Sequence, residues 1–167
     1  MVRPRVPVTS VLLLFLLSTT ARADAPTSDS RGIGPAATAL LGSWHLVWLK
    51  TPGPDGAVRP VDCSGKLVFT REGTMAVQVM YADESAGDEG RPARYAVGGY
   101  EASYGRYSIA SGTHTITYHV DGALVRSLIG KDLPRSYELA GRRLTIRSTN
   151  PAEHWEVGWE HDQDIRP

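Results

Sequence analysis

His119, Arg135, Tyr107, Trp44 and Trp155 are the residues of this 167-residue chain whose types and settings could do chemistry. An imidazole titrates near neutrality, so His119 could hydrogen-bond a bound molecule or exchange a proton with it as general acid or base. Tyr107 is a candidate phenolic partner. Arg135 shares a strand face with Tyr137 and Leu139, opposite Ser136 and Glu138, so it should point inward. A guanidinium cannot deprotonate to escape burial, and leaving one unpaired inside a protein costs several kcal/mol. It needs a carboxylate, either Glu101, Asp121 or Asp132 of this chain or the acid group of a ligand. Trp44, Trp48, Trp155 and Trp159 read as core residues, with an aromatic cavity wall as their second role.

The standard catalytic signatures are missing. No H-E-x-x-H or C-x-x-C points to a metal, and His154 and His161 stand too far apart on one strand to hold one without distant partners. There is no G-x-S-x-G nucleophile elbow and no phosphate-cradling glycine loop, so neither covalent hydrolysis nor a cofactor is expected. Cys63 is the one cysteine, either a small buried hydrophobe or a reactive thiol, and no intrachain disulfide can form.

The elements that must position these residues are strands. Trp44–Leu49, Lys66–Thr70, Thr74–Met80, Gly105–Ile109, Thr113–Asp121, Asp132–Leu139, Arg143–Arg147 and His154–His161 are short runs in strand-forming residues. Turn residues separate them: Arg71-Glu72-Gly73, Ala110-Ser111-Gly112 and Ala140-Gly141-Arg142 have the composition of tight hairpins, and Pro52-Gly53-Pro54-Asp55-Gly56 marks a loop. Ala36–Leu41 reads as a helical turn ended by Gly42, and Tyr95–Tyr104, interrupted by Gly98-Gly99, suggests a short helix. In the first strand, Trp44, Leu46 and Trp48 should share one face. Ala82–Arg94 is acidic and nearly devoid of large apolar residues, the composition of a surface loop over a barrel mouth. Eight mostly hairpin-linked strands and no long amphipathic helix give an all-β fold, a single antiparallel up-and-down barrel with short helical turns, in which closure removes every sheet edge.

Residues 1–23 have the make-up of a targeting segment: Arg3 and Arg5, an apolar stretch Val11–Leu17, and an Ala21-Arg22-Ala23 cleavage site. The apolar run is too short to span a bilayer. Cleavage would leave a flexible leader over 24–35, a domain over 36–162 and a tail over 163–167, in a secreted or periplasmic protein with no stable membrane insertion. The mature chain would carry 15 basic and 18 acidic residues, a net charge of −3 that argues against a nucleic-acid partner.

Leu41-Gly42-Ser43-Trp44-His45-Leu46-Val47, then Gly73-Thr74-Met75-Ala76-Val77-Gln78, Gly105-Arg106-Tyr107, His119-Val120 and finally Gly130 with Arg135 follow one another in an order that resembles the bacterial and fungal lipocalin-like domain family. The resemblance spans about Ala39 to His161. It implies an eight-stranded calycin-type barrel with an interior cavity, in a family most of whose members have no assigned substrate. The chain departs from the family's H-H-V-E strand at Tyr118 and Asp121, and its last strand lacks the arginine that true lipocalins set against the G-x-W tryptophan. The motif draws His119 toward the cavity, whereas the apolar alternation of Ile116, Tyr118 and Val120 would turn it outward.

These features together predict a barrel that binds a small, mainly apolar ligand in its interior, with Trp44, Tyr107, His119, Arg135 and Trp155 as contact residues and no catalytic residue assigned. The alternative is a small-barrel isomerase or cyclase for a lipophilic substrate with His119 as acid or base. A protein-interaction module is a third class and would bury an exposed apolar patch.

Overall fold

The computed structural model describes residues 35–53, 55–87 and 95–162. The targeting segment, the leader up to residue 34 and the tail over 163–167 lie outside the described residues. A six-residue helix, α1 (Pro35–Leu40), precedes nine strands: β1 (Gly42–Pro52), β2 (Val58–Val61), β3 (Cys63–Phe69), β4 (Thr74–Tyr81), β5 (Tyr100–Ala110), β6 (Thr115–Ala123), β7 (Asp132–Ala140), β8 (Arg143–Ser148) and β9 (Glu156–His161). Every pairing is antiparallel: β1 pairs with both β2 and β3, each strand from β4 to β9 pairs with the one before it, and β9 returns to β1. β2 and β3 run along the same edge of β1, with Asp62 between them and a one-residue change of register. The nine segments therefore make a closed eight-stranded up-and-down barrel.

Closure divides the interior by depth. One end is packed by Leu40, Trp44, Phe69, Met75, Ile116 and Leu144, all buried. One or two inward positions further along each strand come Leu49 on β1, Val79 on β4, Glu101 on β5, Tyr118 on β6, Arg135 on β7 and Ile146 on β8, which surround a hollow instead. At the packed end the Trp44 indole donates from Nε1 to the Leu40 carbonyl at 2.9 Å, satisfying one of the free carbonyls at the end of α1. His161 meets the same indole edge-on at a centroid distance of 4.7 Å. Gly42, at φ +118°, lets the chain turn from helix to strand, and a Cβ there would strike His161.

Three expectations are corrected. Tyr100–Tyr104 is strand, because Gly98 and Gly99, both at positive φ, make a turn rather than a helix and β5 starts directly after it. β1 does not keep one face: Val47 is an extra residue against β9 between Leu46 and Trp48, which reverses the pleat. Val47 is accordingly 53% exposed and Leu49 buried. Trp48 leaves the core and lies outside against Gly158, with the Lys50 ammonium 5.0 Å from its ring centroid. The 82–94 loop is described only to residue 87, where Ala86 is buried and its carbonyl accepts from the Gly99 amide at 2.9 Å.

A second bulge, at Asp121 opposite Tyr104 and Gly105, brings β5 so close to β6 that a Cβ on Gly105 would collide with the His119 carbonyl. Gly105→Ala should lower the unfolding free energy by about 1–3 kcal/mol. Gly112→Ala, which meets open space, should leave it nearly unchanged. Equal urea midpoints for the two variants would refute the close approach.

Candidate functional site

The hollow is a cavity of about 290 Å3 at the end of the barrel away from Trp44. Leu49, Val77, Val79, Ile146 and Val157 form apolar walls, and Tyr81, Glu101, Ser103, Tyr118 and Arg135 bring polar groups. Each strand supplies its share by simple alternation, which is how small barrels present interior residues.

Arg135 is the polar centre. It is only 6% exposed and packs against two aromatic rings set at 84° to each other, with its guanidinium carbon 5.1 Å from the Tyr95 centroid and 4.9 Å from that of Trp155. Its Nη1 donates to the Pro134 carbonyl at 3.1 Å. Stacking on desolvated rings offsets part of the cost of burying the charge. Of the three carboxylates the sequence offers as partners, only Glu101 faces the same cavity; Asp121 and Asp132 are exposed on the outer surface. Glu101 does not close a salt bridge with Arg135. Burial pushes its carboxyl up to about 7, against the opposing pull of the Arg135 charge. Burial also raises the Tyr81 and Tyr118 phenols, which stay neutral at ordinary pH.

The two rings around Arg135 are held by a residue the sequence did not single out. Glu153 accepts from the Tyr95 hydroxyl at 2.7 Å, the Ser148 hydroxyl at 2.9 Å and the Trp155 indole at 3.1 Å, all on Oε2. Asn150 Nδ2 donates to its other oxygen at 3.3 Å. Burial works to raise this carboxyl, but the three donors and the Arg135 charge outweigh it and hold it down at about 2. Glu153 lies in the Thr149–Trp155 connection, where no periodicity marks it. The Asn150-Pro151 pair, a turn initiator, was the only local signal.

Of the expected contact residues, Arg135 and Trp155 line the cavity. Trp44 and Tyr107 do not, because both belong to the packed end, where Tyr107 donates to the Thr70 carbonyl at 3.0 Å and meets Phe69 edge-on. His119 does not either. Ile116, Tyr118 and Val120 take the inward positions of β6, leaving His119 on the outer face. There Nδ1 lies 2.7 Å from Asp132 Oδ1 and Nε2 lies 2.9 Å from Ser108 Oγ. This is the bonding order of a hydrolase triad, but none of the three residues lines the interior cavity.

A family model described as a lipocalin-like domain matches residues 41–163. The chain belongs to the lipocalin-like domain family. Among solved structures it is similar to a lipocalin-like protein of Bacteroides uniformis, with 16% identity over 74% of this chain and 99% of that one and a TM-score of 0.44. An uncharacterized protein of Bacteroides eggerthii gives 15%, 74%, 99% and 0.44. A protein of M. tuberculosis gives 17% identity, 77% and 96% coverage, and a TM-score of 0.36. No curated protein matches. A lipocalin-like domain is, at the level of its fold, a ligand-binding barrel.

The two carboxyls should respond oppositely to pH. A folded-state value near 7 for Glu101, above its usual 4.5, means stability is full below pH 4.5 and is lost as the pH rises through 7. Glu101→Gln should therefore be more stable than the parent at pH 8, on the order of 2–3 kcal/mol, and about equal at pH 4, in paired urea melts. Glu153, depressed to about 2, contributes stability above pH 4.5 that is lost as the pH falls toward 2. Glu153→Gln should lose that acid-side decline, and an unaltered decline in the variant would remove Glu153 from its bracing role.

Proposed function

We propose that this lipocalin-like domain is an exported, non-catalytic binder of a small, mainly apolar molecule held in the interior cavity, with Arg135 orienting its polar end. The observation that carries the proposal is the cavity itself: apolar walls around a buried guanidinium whose charge lies against two aromatic rings and is contacted by no carboxylate among the described residues. Apolar walls with a few fixed polar groups are the usual form of small-molecule sites. At about 290 Å3 the space suits one compact ligand rather than a long acyl chain. Export is supported by the composition of residues 1–23, and the absence of a nucleic-acid partner by the net charge of −3 after cleavage. The isomerase or cyclase alternative loses its acid–base group, since His119 stands outside the barrel.

Trp155 and Trp159 lie in the cavity wall, so binding should change tryptophan emission. Titration with a panel of fatty acids, terpenoids and aromatic acids should give saturable quenching with at least one class. Val79→Phe, which pushes a ring into the cavity, should weaken that response more than tenfold while costing under about 1 kcal/mol, because the hollow accepts the added volume. A flat response across the panel, or undiminished binding in Val79→Phe, would remove the cavity as the binding site.

A further inference from the structure

The polar groups around the cavity are more specific than a generic polar anchor requires. The Arg135 guanidinium sits in the corner formed by Tyr95 and Trp155, whose rings meet at 84°, and its five N–H donors fan out in one plane. One of them is used by the Pro134 carbonyl, and among the described residues no carboxylate reaches the guanidinium as an ion pair. A planar cation with in-plane donors left over matches a carboxylate better than an alcohol or ketone. The buried indole Nε1 of Trp159, a residue of the same wall, also has no hydrogen-bond partner among the described residues. Glu101 opens into the same space from β5.

That last placement creates a conflict. A carboxylate entering beside Arg135 would share an apolar enclosure with the Glu101 carboxylate, and two like charges in such a space cannot both stay ionised cheaply. The conflict disappears if Glu101 is protonated, because it then becomes a donor instead of a competing anion. We propose, building on the cavity-binding function above, that the ligand is the anion of a small apolar carboxylic acid and that it enters together with a proton taken up by Glu101. The anion sits against Arg135 and the proton stays on the Glu101 carboxyl, so no bond other than hydrogen bonds is made or broken.

The neighbours of Glu101 leave the proton few other places to go. Cys63 on β3 is pushed up to about 11 by burial, and burial also raises Tyr81 on β4 and Tyr118 on β6, so all three already hold their protons at neutral pH. Arg135 on β7 keeps its charge throughout. Glu153, held at about 2, stays ionised, and the Tyr95 phenol is raised by burial. His154 is the remaining titratable residue in the cavity wall. With its carboxyl near 7, Glu101 is mostly ionised at pH 8 and able to accept the proton on binding.

Isothermal titration of the full chain at pH 8 with 3-phenylpropanoate, in two buffers of different ionisation enthalpy, counts the protons directly. Uptake close to one proton per bound anion is expected, together with affinity that falls by up to tenfold per pH unit above 7. In Glu101→Gln the uptake should vanish and the affinity become flat with pH, whereas His154→Gln should keep the uptake and Asp121→Asn, on the outer surface, should behave as the parent. Arg135→Met should lose the preference for the anion over 3-phenylpropanol, with Arg135→Lys as the milder variant should the first fail to fold. Binding of the anion without proton uptake, or unchanged uptake in Glu101→Gln, overturns the inference. If 3-phenylpropanol binds as tightly as the acid, the anion proposal falls while the cavity stands. If neither probe nor the wider panel binds, both fall.

Discussion

Closure of β1 onto β9 is the constraint on which everything else in this domain rests. Once the sheet returns on itself, no edge is left to pair, and every second side chain of eight strands must be accommodated inside. The Trp44 indole, bonded to the last carbonyl of α1 and met by the His161 ring from β9, ties helix, first strand and last strand together at the point of closure. The closing strands carry residues of unequal length between them, and the mismatch is absorbed as a bulge at Val47. That single extra residue turns Leu49 into the cavity and Trp48 out of the barrel, so the position of the apolar wall follows from how the sheet closes.

Because one end is filled by Phe69, Leu67, Ile116 and Leu144, the other need not be, and the hollow is lined by groups that a fully packed core would exclude. A guanidinium inside a barrel is costly unless its surroundings replace water. Here the replacement is aromatic: two rings, at 84° to each other, that face the cation, each positioned by the same Glu153 oxygen. Glu153 therefore acts at a distance, through the rings, on the orientation of a charge it does not touch in an ion pair.

Much of this was legible in the sequence, and the failures have physical causes. The hairpins over Thr70–Gly73, Ser111–Gly112 and Gly141–Arg142 were visible because glycine and short polar residues have few roles between apolar runs. The inward aim of Arg135 followed from plain alternation with Tyr137, on a strand without bulges. Alternation misled in β1 because a bulge adds a residue without leaving a composition mark. For His119 two signals competed, and the apolar neighbours Ile116 and Tyr118 decided its outward aim, since burying them gains more than burying an imidazole that Ser108 and Asp132 can satisfy outside. The Val58–Val61 extension was hidden by Pro60, a residue that suits a sheet only where its missing donor is not needed. Glu153 had no pattern at all, because a turn residue that reaches back to three donors is defined by tertiary geometry alone.

The charge arrangement carries the argument one step further. Two carboxyls feel the same guanidinium, yet one is held near 2 and the other near 7. The difference lies in hydrogen bonding and burial: Glu153 gathers three donors on one oxygen, whereas burial dominates at Glu101 and Arg135 only partly offsets it. Environments that push paired titratable groups apart assign them separate tasks. Glu153 stays charged across the neutral range and keeps a negative charge in the field of Arg135 without contacting it, so Glu101 can change protonation while that charge remains. A barrel with Glu153 alone would have no group beside the cavity able to change protonation, and one with Glu101 alone would lose its nearby anion whenever that carboxyl took up a proton.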